Sequence, residues 1–221
     1  CRSCWTVDDG NVLVGTDLSG IKLRCLAHYM QDDNYTKELL EGDIHTANQH
    51  AAGLETRAQA NTFIYALLYG AGAAKIGAIA GGNAKKGQEL IDKFMGNTPK
   101  LQQLLLKVQR IASKGYVPAL DGRKIRIRSE HAALNSLLQS CGAIIAKQWC
   151  VEAHRMLRRA HVPVKQVAFV HDEIQMEVPA HYGDVVANIM TKASIKAGNV
   201  LGFRIPAESE SKIGKTWLDT H

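Results

Sequence analysis

Two aspartates far apart in the chain, Asp17 and Asp172, have the surroundings that most invite chemistry. Asp17 ends the short apolar run that starts at Asn11, as expected of a buried strand delivering a carboxylate to its tip. Asp172 lies in His171-Asp172-Glu173, a polar tip between two apolar runs at 167–170 and 174–178, which reads as a strand pair. If these strands are neighbours in one sheet, both carboxylates leave the same edge. Two such groups side by side repel one another unless cations lie between them, and two-metal phosphoryl-transfer sites are built that way. Taken singly, each aspartate is equally at home as an ordinary turn residue.

A second set of chemical residues is spaced by four. Arg57, Asn61 and Tyr65 form one stripe along a helix, and Tyr69 continues it after a slight drift. Ala60, Ile64, Leu67 and Leu68 take the other faces and supply packing. A guanidinium suits phosphate and an aromatic face suits a base, although an amphipathic helix with a solvated arginine has the same pattern. His131, Asn135 and Gln139 repeat the spacing further on, where a solvated polar face is the default. Arg123 and the alternating Lys124, Arg126 and Arg128 suit phosphate contacts and suit an exposed charged strand as well.

The elements that must carry these groups follow from pattern. Ser19 reads as the cap of a helix holding Ile21, Leu23, Leu26, Ala27 and Met30. Helical patterns cover 38–40, 58–69, 85–95, about 97–113, 132–160 and 182–197. A turn at Leu120-Asp121-Gly122-Arg123 precedes a strand over 124–128, and a last short strand is expected around Phe203-Arg204-Ile205. Strands at both ends and a helical block between them imply an α+β sheet domain with a helical insertion. With 221 residues, 46% hydrophobic and 22% charged, the chain can bury one large core or two small ones. A net charge of +6 favours a polyanionic partner. No apolar run is long enough to span a membrane, and the five dispersed cysteines fit a reducing compartment. Cys1-x-x-Cys4 lacks the second ligand pair of a zinc site.

The stretch from Asp17 to Tyr29 resembles motif A of the family A DNA polymerases, the group that contains bacterial polymerase I. Arg57-x-x-x-Asn61-x-x-x-Tyr65-x-x-x-Tyr69-Gly70 resembles motif B, and Val170-His171-Asp172-Glu173 resembles motif C. The three motifs stand in the family's order, with Gly42-Asp43-Ile44-His45-Thr46 between the first two. The likeness runs from about Val12 to His221 and is nearest to replicative polymerases of short-tailed phages. It implies a palm, an antiparallel sheet with packed helices over 1–30 and 132–221, interrupted by all-helical fingers over 31–131. It implies template-directed addition of dNTP to a primer 3′ hydroxyl, with two Mg²⁺ held by Asp17, Asp172 and the carbonyl of Leu18. Lys22, His45, Arg57, Asn61 and Tyr65 would meet the nucleotide. Tyr69, Arg123, His131, Asn135, Gln139, His171 and Glu173 would meet primer-template DNA, and a phage-encoded protein of this kind would work in the host cytoplasm.

The resemblance also has breaks. Relatives place Lys where this chain has Asn61, and many of them Glu where it has Lys22. Asparagine cannot act as a general acid toward departing pyrophosphate, and Lys22 is expected to supply part of that missing charge. The family's thumb, first palm strands and exonuclease domain have no counterpart here. An upstream segment or a partner polypeptide carrying the thumb is therefore expected, with the chain a fragment, half of a split polymerase or an intein product. Two other readings stay open: a non-catalytic DNA-binding subunit that keeps the fold, and a single-subunit RNA polymerase.

Overall fold

A computed structural model describes all 221 residues. The chain divides into two compact units, one made of Cys1–Arg24 with Cys141–His221 and the other of Cys25–Ser140. The first is built on a four-stranded antiparallel sheet. Strand β1 (Asn11–Leu18) pairs on one side with β5 (Glu173–Pro179) and on the other with β6 (Ser209–Gly214), while β4 (Lys165–Val170) closes the far side of β5. As a central strand, β1 is buried on both faces from Leu13 to Thr16, which explains its apolar run. Gly15 is required there: a Cβ would collide with the Gln175 and Thr220 side chains, so glycine lets the last residues of the chain lie against the strand.

Helix α9 (Gly183–Val200) packs on β1 and β6, burying Val186, Met190, Ala193 and Ala197. The later part of α8 (Ala133–Arg159) brings the fully buried Trp149, whose indole N–H donates to the Met190 carbonyl at 2.9 Å. Truncating such a side chain to Ala would cost about 3 to 5 kcal/mol. Glu152, also buried, is held by Arg155 at 2.8 Å and by Lys196 at 2.9 Å, so its charge is compensated.

The second unit is helical. It holds α2 (Asp33–Glu41), α3 (Ile44–Ala52), α4 (Arg57–Leu68), α5 (Ala73–Ile79), α6 (Ala84–Asn97) and α7 (Pro99–Ala112), followed by the hairpin β2 (Tyr116–Pro118) and β3 (Lys124–Arg126). Asp32, Asp43 and Asn83 cap α2, α3 and α6 by accepting from backbone N–H groups. Thr56 and Gln59 form a reciprocal capping box on α4. Phe63 and Phe94 meet edge to face at 5.2 Å in the core. No helix is long and apolar enough to cross a membrane.

Some expectations need correction. Residues 203–205 form no strand; Phe203 and Ile205 are buried without a ladder, and the strand begins at Ser209. Gly20, not Ser19, heads α1 (Ile21–Met30), its carbonyl accepting from Leu23 and Arg24 and its φ of 56° suiting glycine. The strand expected over 124–128 stops at Arg126, and α3 and α5 are additional helices.

Candidate functional site

The sheet brings the acidic residues of the first unit together. Asp17 lies opposite Glu173 in the β1–β5 ladder and opposite Glu210 in the β1–β6 ladder. Opposed residues share a face, so three carboxylates stand in a row across the sheet, an arrangement that like-charge repulsion opposes. Asp172 joins them through the two-residue turn between β4 and β5, its carbonyl accepting from the Leu18 N–H at 3.1 Å. His171 occupies the other turn position with φ 57°, a left-handed conformation that few non-glycine residues adopt.

The chain neutralises one carboxylate of the row and leaves another strained. Glu173 is buried and accepts from Gln175 Nε2 at 2.6 Å, Trp217 Nε1 at 2.6 Å and His221 Nδ1 at 2.9 Å. Burial pushes its pKa up, but these donors outweigh burial and hold it below the ordinary glutamate range. Glu173 is thereby a fixed strut with both of its carboxylate oxygens engaged. Asp17 has no such donors. Partial withdrawal from water, then repulsion from Asp172, Glu173 and Glu210, push its carboxyl from the ordinary 3.8 up to about 6, against a smaller opposite pull from His221.

A cleft of about 470 Å³ opens beside this row, lined by Asp17, Glu173, Glu210, Lys212, Thr220 and His221 among others. Thr220 Oγ1 donates to Gln175 Oε1 at 2.9 Å and Lys212 Nζ to the His221 carbonyl at 3.0 Å, so the chain's last residues form one wall. Glu210, Lys212, Trp217, Thr220 and His221 carry no motif that marks them in the sequence. No group of three or more His, Cys, Asp or Glu side chains is arranged to hold a metal ion. What the edge offers is hard carboxylate oxygens in excess of their countercharge. That donor set fits a small hard divalent ion that takes one or two carboxylates and completes its shell with phosphate and water. Lys22, in the first turn of α1, has its Nζ withdrawn from water.

The other expected residues fall in the helical unit. Arg57, Asn61 and Tyr69 are exposed and Tyr65 half-buried along one stripe of α4 and its C-terminal end. Arg57 is engaged: its Nε and Nη2 donate to the two carboxylate oxygens of Asp43 at 2.7 and 3.1 Å. His45 follows in the first turn of α3, its Nδ1 buried without a hydrogen-bond partner, and burial followed by the Arg57 charge lowers its pKa. A neutral imidazole is therefore favoured there at neutral pH. Gln139 Nε2 donates to the Tyr69 hydroxyl at 3.3 Å, joining the two polar stripes. Asn135 keeps a buried Oδ1 with no partner, while His131 is exposed beside the Gly70 backbone. Arg123 is taken up by Asp121 at 2.6 Å. The Asp43 contribution has a sequence signal: an acidic residue directly before a helical run is the pattern of a cap.

Comparison with known proteins gives the family. The model described as DNA polymerase family A matches residues 1–219. The DNA-directed DNA polymerase of Enterobacteria phage T3 is 39% identical over 235 residues, and that of Escherichia phage T7 is 40% identical over 235. Each match covers 95% of this chain and 33% of the phage protein, so the chain spans about a third of the length of these relatives. DNA polymerase I of Geobacillus stearothermophilus is 25% identical over 94% of the chain and 26% of its own length. In fold, the chain matches the POL domain of Pol1 from M. smegmatis, solved in complex with DNA primer-template and dNTP, with a TM-score of 0.88 at 21% identity, over 98% of this chain and 42% of that one.

Proposed function

The chain belongs to DNA polymerase family A, and on that premise we propose that it forms the palm and fingers of an enzyme that extends a primer 3′ end by template-directed addition of deoxynucleotides. The palm is assigned to the sheet unit and the fingers to the helical unit. The observation that carries the reading is the carboxylate edge: Asp17 and Asp172 stand together at one end of the sheet, where partial burial and then the like charges of Asp172, Glu173 and Glu210 raise Asp17 to about 6. Such crowding is costly in an idle protein and useful where a cation binds.

In this reading Asp17, Asp172 and the carbonyl of Leu18 hold two Mg²⁺ ions, whose chemistry when bound is to acidify the primer hydroxyl and neutralise charge on the triphosphate. Glu173 keeps the hairpin tip in place through its three donors and is not itself a ligand. Arg57 and His45 bind phosphate oxygens, Asn61 donates an amide hydrogen bond to them, and Lys22 contributes positive charge near the nucleotide. Tyr65 packs on sugar and base. Tyr69, Arg123, His131, Asn135, Gln139 and His171 meet the template and primer, with Asn135 and Gln139 suited to minor-groove acceptors common to all correct pairs. The bond formed joins the primer 3′ oxygen to the α-phosphorus, and the bond broken releases pyrophosphate.

The test is extension of a labelled primer by the chain supplied with an upstream polymerase segment, with Mg²⁺ and dNTP, beside Asp172→Ala. Extension abolished by that substitution and by chelation supports the proposal; extension indifferent to Asp172 refutes it. A rival reading, a DNA-binding subunit without catalysis, draws on Asn61 in place of the family's lysine. It requires duplex binding with no extension under any supply of the upstream segment.

A further inference from the structure

Arg57 does not wait with an open guanidinium. Its Nε and Nη2 grip Asp43 in the two-pronged geometry by which a planar guanidinium takes either a carboxylate or a phosphate. Nor is Asp43 a loose side chain that happens to be near. It caps α3, with Oδ1 accepting from the His45 N–H at 3.1 Å and the Thr46 N–H at 3.4 Å, and Oδ2 accepting from the Thr46 hydroxyl at 2.8 Å. Five donors converge on one carboxylate fixed to a helix terminus, and the Arg57 and Thr46 hydrogen bonds hold it far below the usual acid range. An anion is thus already seated in front of Arg57 and on the His45 backbone N–H.

The pair remains replaceable. Its side chains are 58% and 43% exposed, and ion pairs in that setting are weak and screened by salt. A ligand with several negative charges outcompetes one exposed carboxylate for the same fork, whereas a neutral ligand has no means to do so. We infer that Asp43 is a resident anion that occupies the Arg57 fork until a nucleotide polyphosphate displaces it, which keeps Arg57 oriented and sets a fixed cost on phosphate binding. The inference rests on the reading of Arg57 as a triphosphate-binding residue and adds Asp43 as the residue that tunes it.

Asp43→Asn is the deciding variant, because asparagine caps a helix about as well as aspartate and carries no charge. The probes are dATP, inorganic tripolyphosphate and deoxyadenosine, with dissociation constants measured by calorimetry on the full chain at low and high salt. Both polyphosphates are expected to bind about threefold tighter to Asp43→Asn than to the unaltered chain, with a smaller gain at high salt, the scale an exposed pair supports. Deoxyadenosine binding is expected to stay the same. Unchanged or weaker polyphosphate binding in a variant still folded at the assay temperature overturns the inference. Asp43→Ser, also neutral and able to cap, must give the same result and stands in if the asparagine variant does not fold. Arg57→Ala separates the two layers. If it binds dATP as well as the unaltered chain does, the reading of Arg57 fails and the inference with it. If it binds dATP more weakly while Asp43→Asn shows no gain, only the inference fails.

Discussion

The two units hold their charged residues by opposite means. In the sheet unit, backbone register decides who stands beside whom: Asp17 is flanked by Glu173 and Glu210 because the ladders put them there. Like charges are forced together, and the chain answers with a dense set of donors on Glu173 while Asp17 is left raised. In the helical unit, the reactive side chains sit on an exposed stripe of α4 and choose their partners, so that Arg57 finds Asp43 and Gln139 finds Tyr69. A sheet edge can therefore store electrostatic tension for a ligand to relieve. An exposed helix face relaxes its tension locally and must be unpaired by the ligand.

The widest break in that comparison comes from removing a carboxylate at the edge. Asp172→Ala is expected to lower primer extension by roughly 10³-fold or more, since cation-based charge stabilisation supplies several kcal/mol to such reactions. Circular dichroism should remain unchanged, because the turn's bond to the Leu18 N–H uses the backbone carbonyl of residue 172. On the helical side the largest effect is a gain. Asn61→Lys restores a group able to protonate a departing phosphate and is expected to raise the single-turnover rate by roughly 10²-fold. In the Asn61 chain, Lys22→Ala should lower that rate, and Asn61→Lys should rescue it. An unchanged rate in Lys22→Ala removes Lys22 from the chemistry.

Much of this arrangement was legible in the sequence, for reasons that differ by element. The apolar run into Asp17 and the run after Glu173 give strands directly, because the central strands β1 and β5 bury both faces and show it in composition, while the outer strand β4 is marked by its β-branched and aromatic residues. The stripe Arg57, Asn61, Tyr65 and Tyr69 is visible because helical spacing survives exposure. Glu210 was not visible. Its strand, β6, is polar, whereas Phe203 and Ile205 mimic an alternating strand while burying in an irregular segment that includes Pro206, which has no N–H to donate. The clamp of Gln175, Trp217 and His221 on Glu173 joins residues 44 and 48 positions apart in two of its three bonds. No periodicity encodes such pairs. Asp43 carried a capping signal, but its grip on Arg57, 14 residues on, needs the packing of α3 on α4.

A smaller effect sharpens the contrast inside the sheet unit. His221→Ala removes one of three donors to Glu173 and is expected to slow extension roughly tenfold, the scale of one hydrogen bond to a charged group. His221→Gln, which can still donate, should recover most of the loss. If alanine and glutamine behave alike, the chain's last side chain does not position Glu173.

The smallest effect is in stability, and its sign differs between the two units. Asp17 has a pKa raised from 3.8 to about 6, so between these values the folded chain binds more protons than the unfolded one. By linkage, stability from this group falls as pH rises through that window, and the ionised carboxylate remains a cost at pH 7. Asp17→Asn should therefore stabilise the ion-free chain at neutral pH and do nothing near pH 4. The gain is about 1 kcal/mol once solvent screening at this exposed residue is counted, or roughly 2 to 4 °C in melting temperature. Mg²⁺ should close the gap at pH 7 by stabilising only the aspartate form. Asp43 behaves in the opposite way: its lowered pKa contributes stability above the usual acid range that is lost as pH falls, so Asp43→Asn should slightly destabilise at neutral pH. Melting curves of both variants at pH 4 and pH 7 decide the matter, because an Asp17→Asn chain no more stable than the unaltered one at pH 7 would mean that the edge is not under tension.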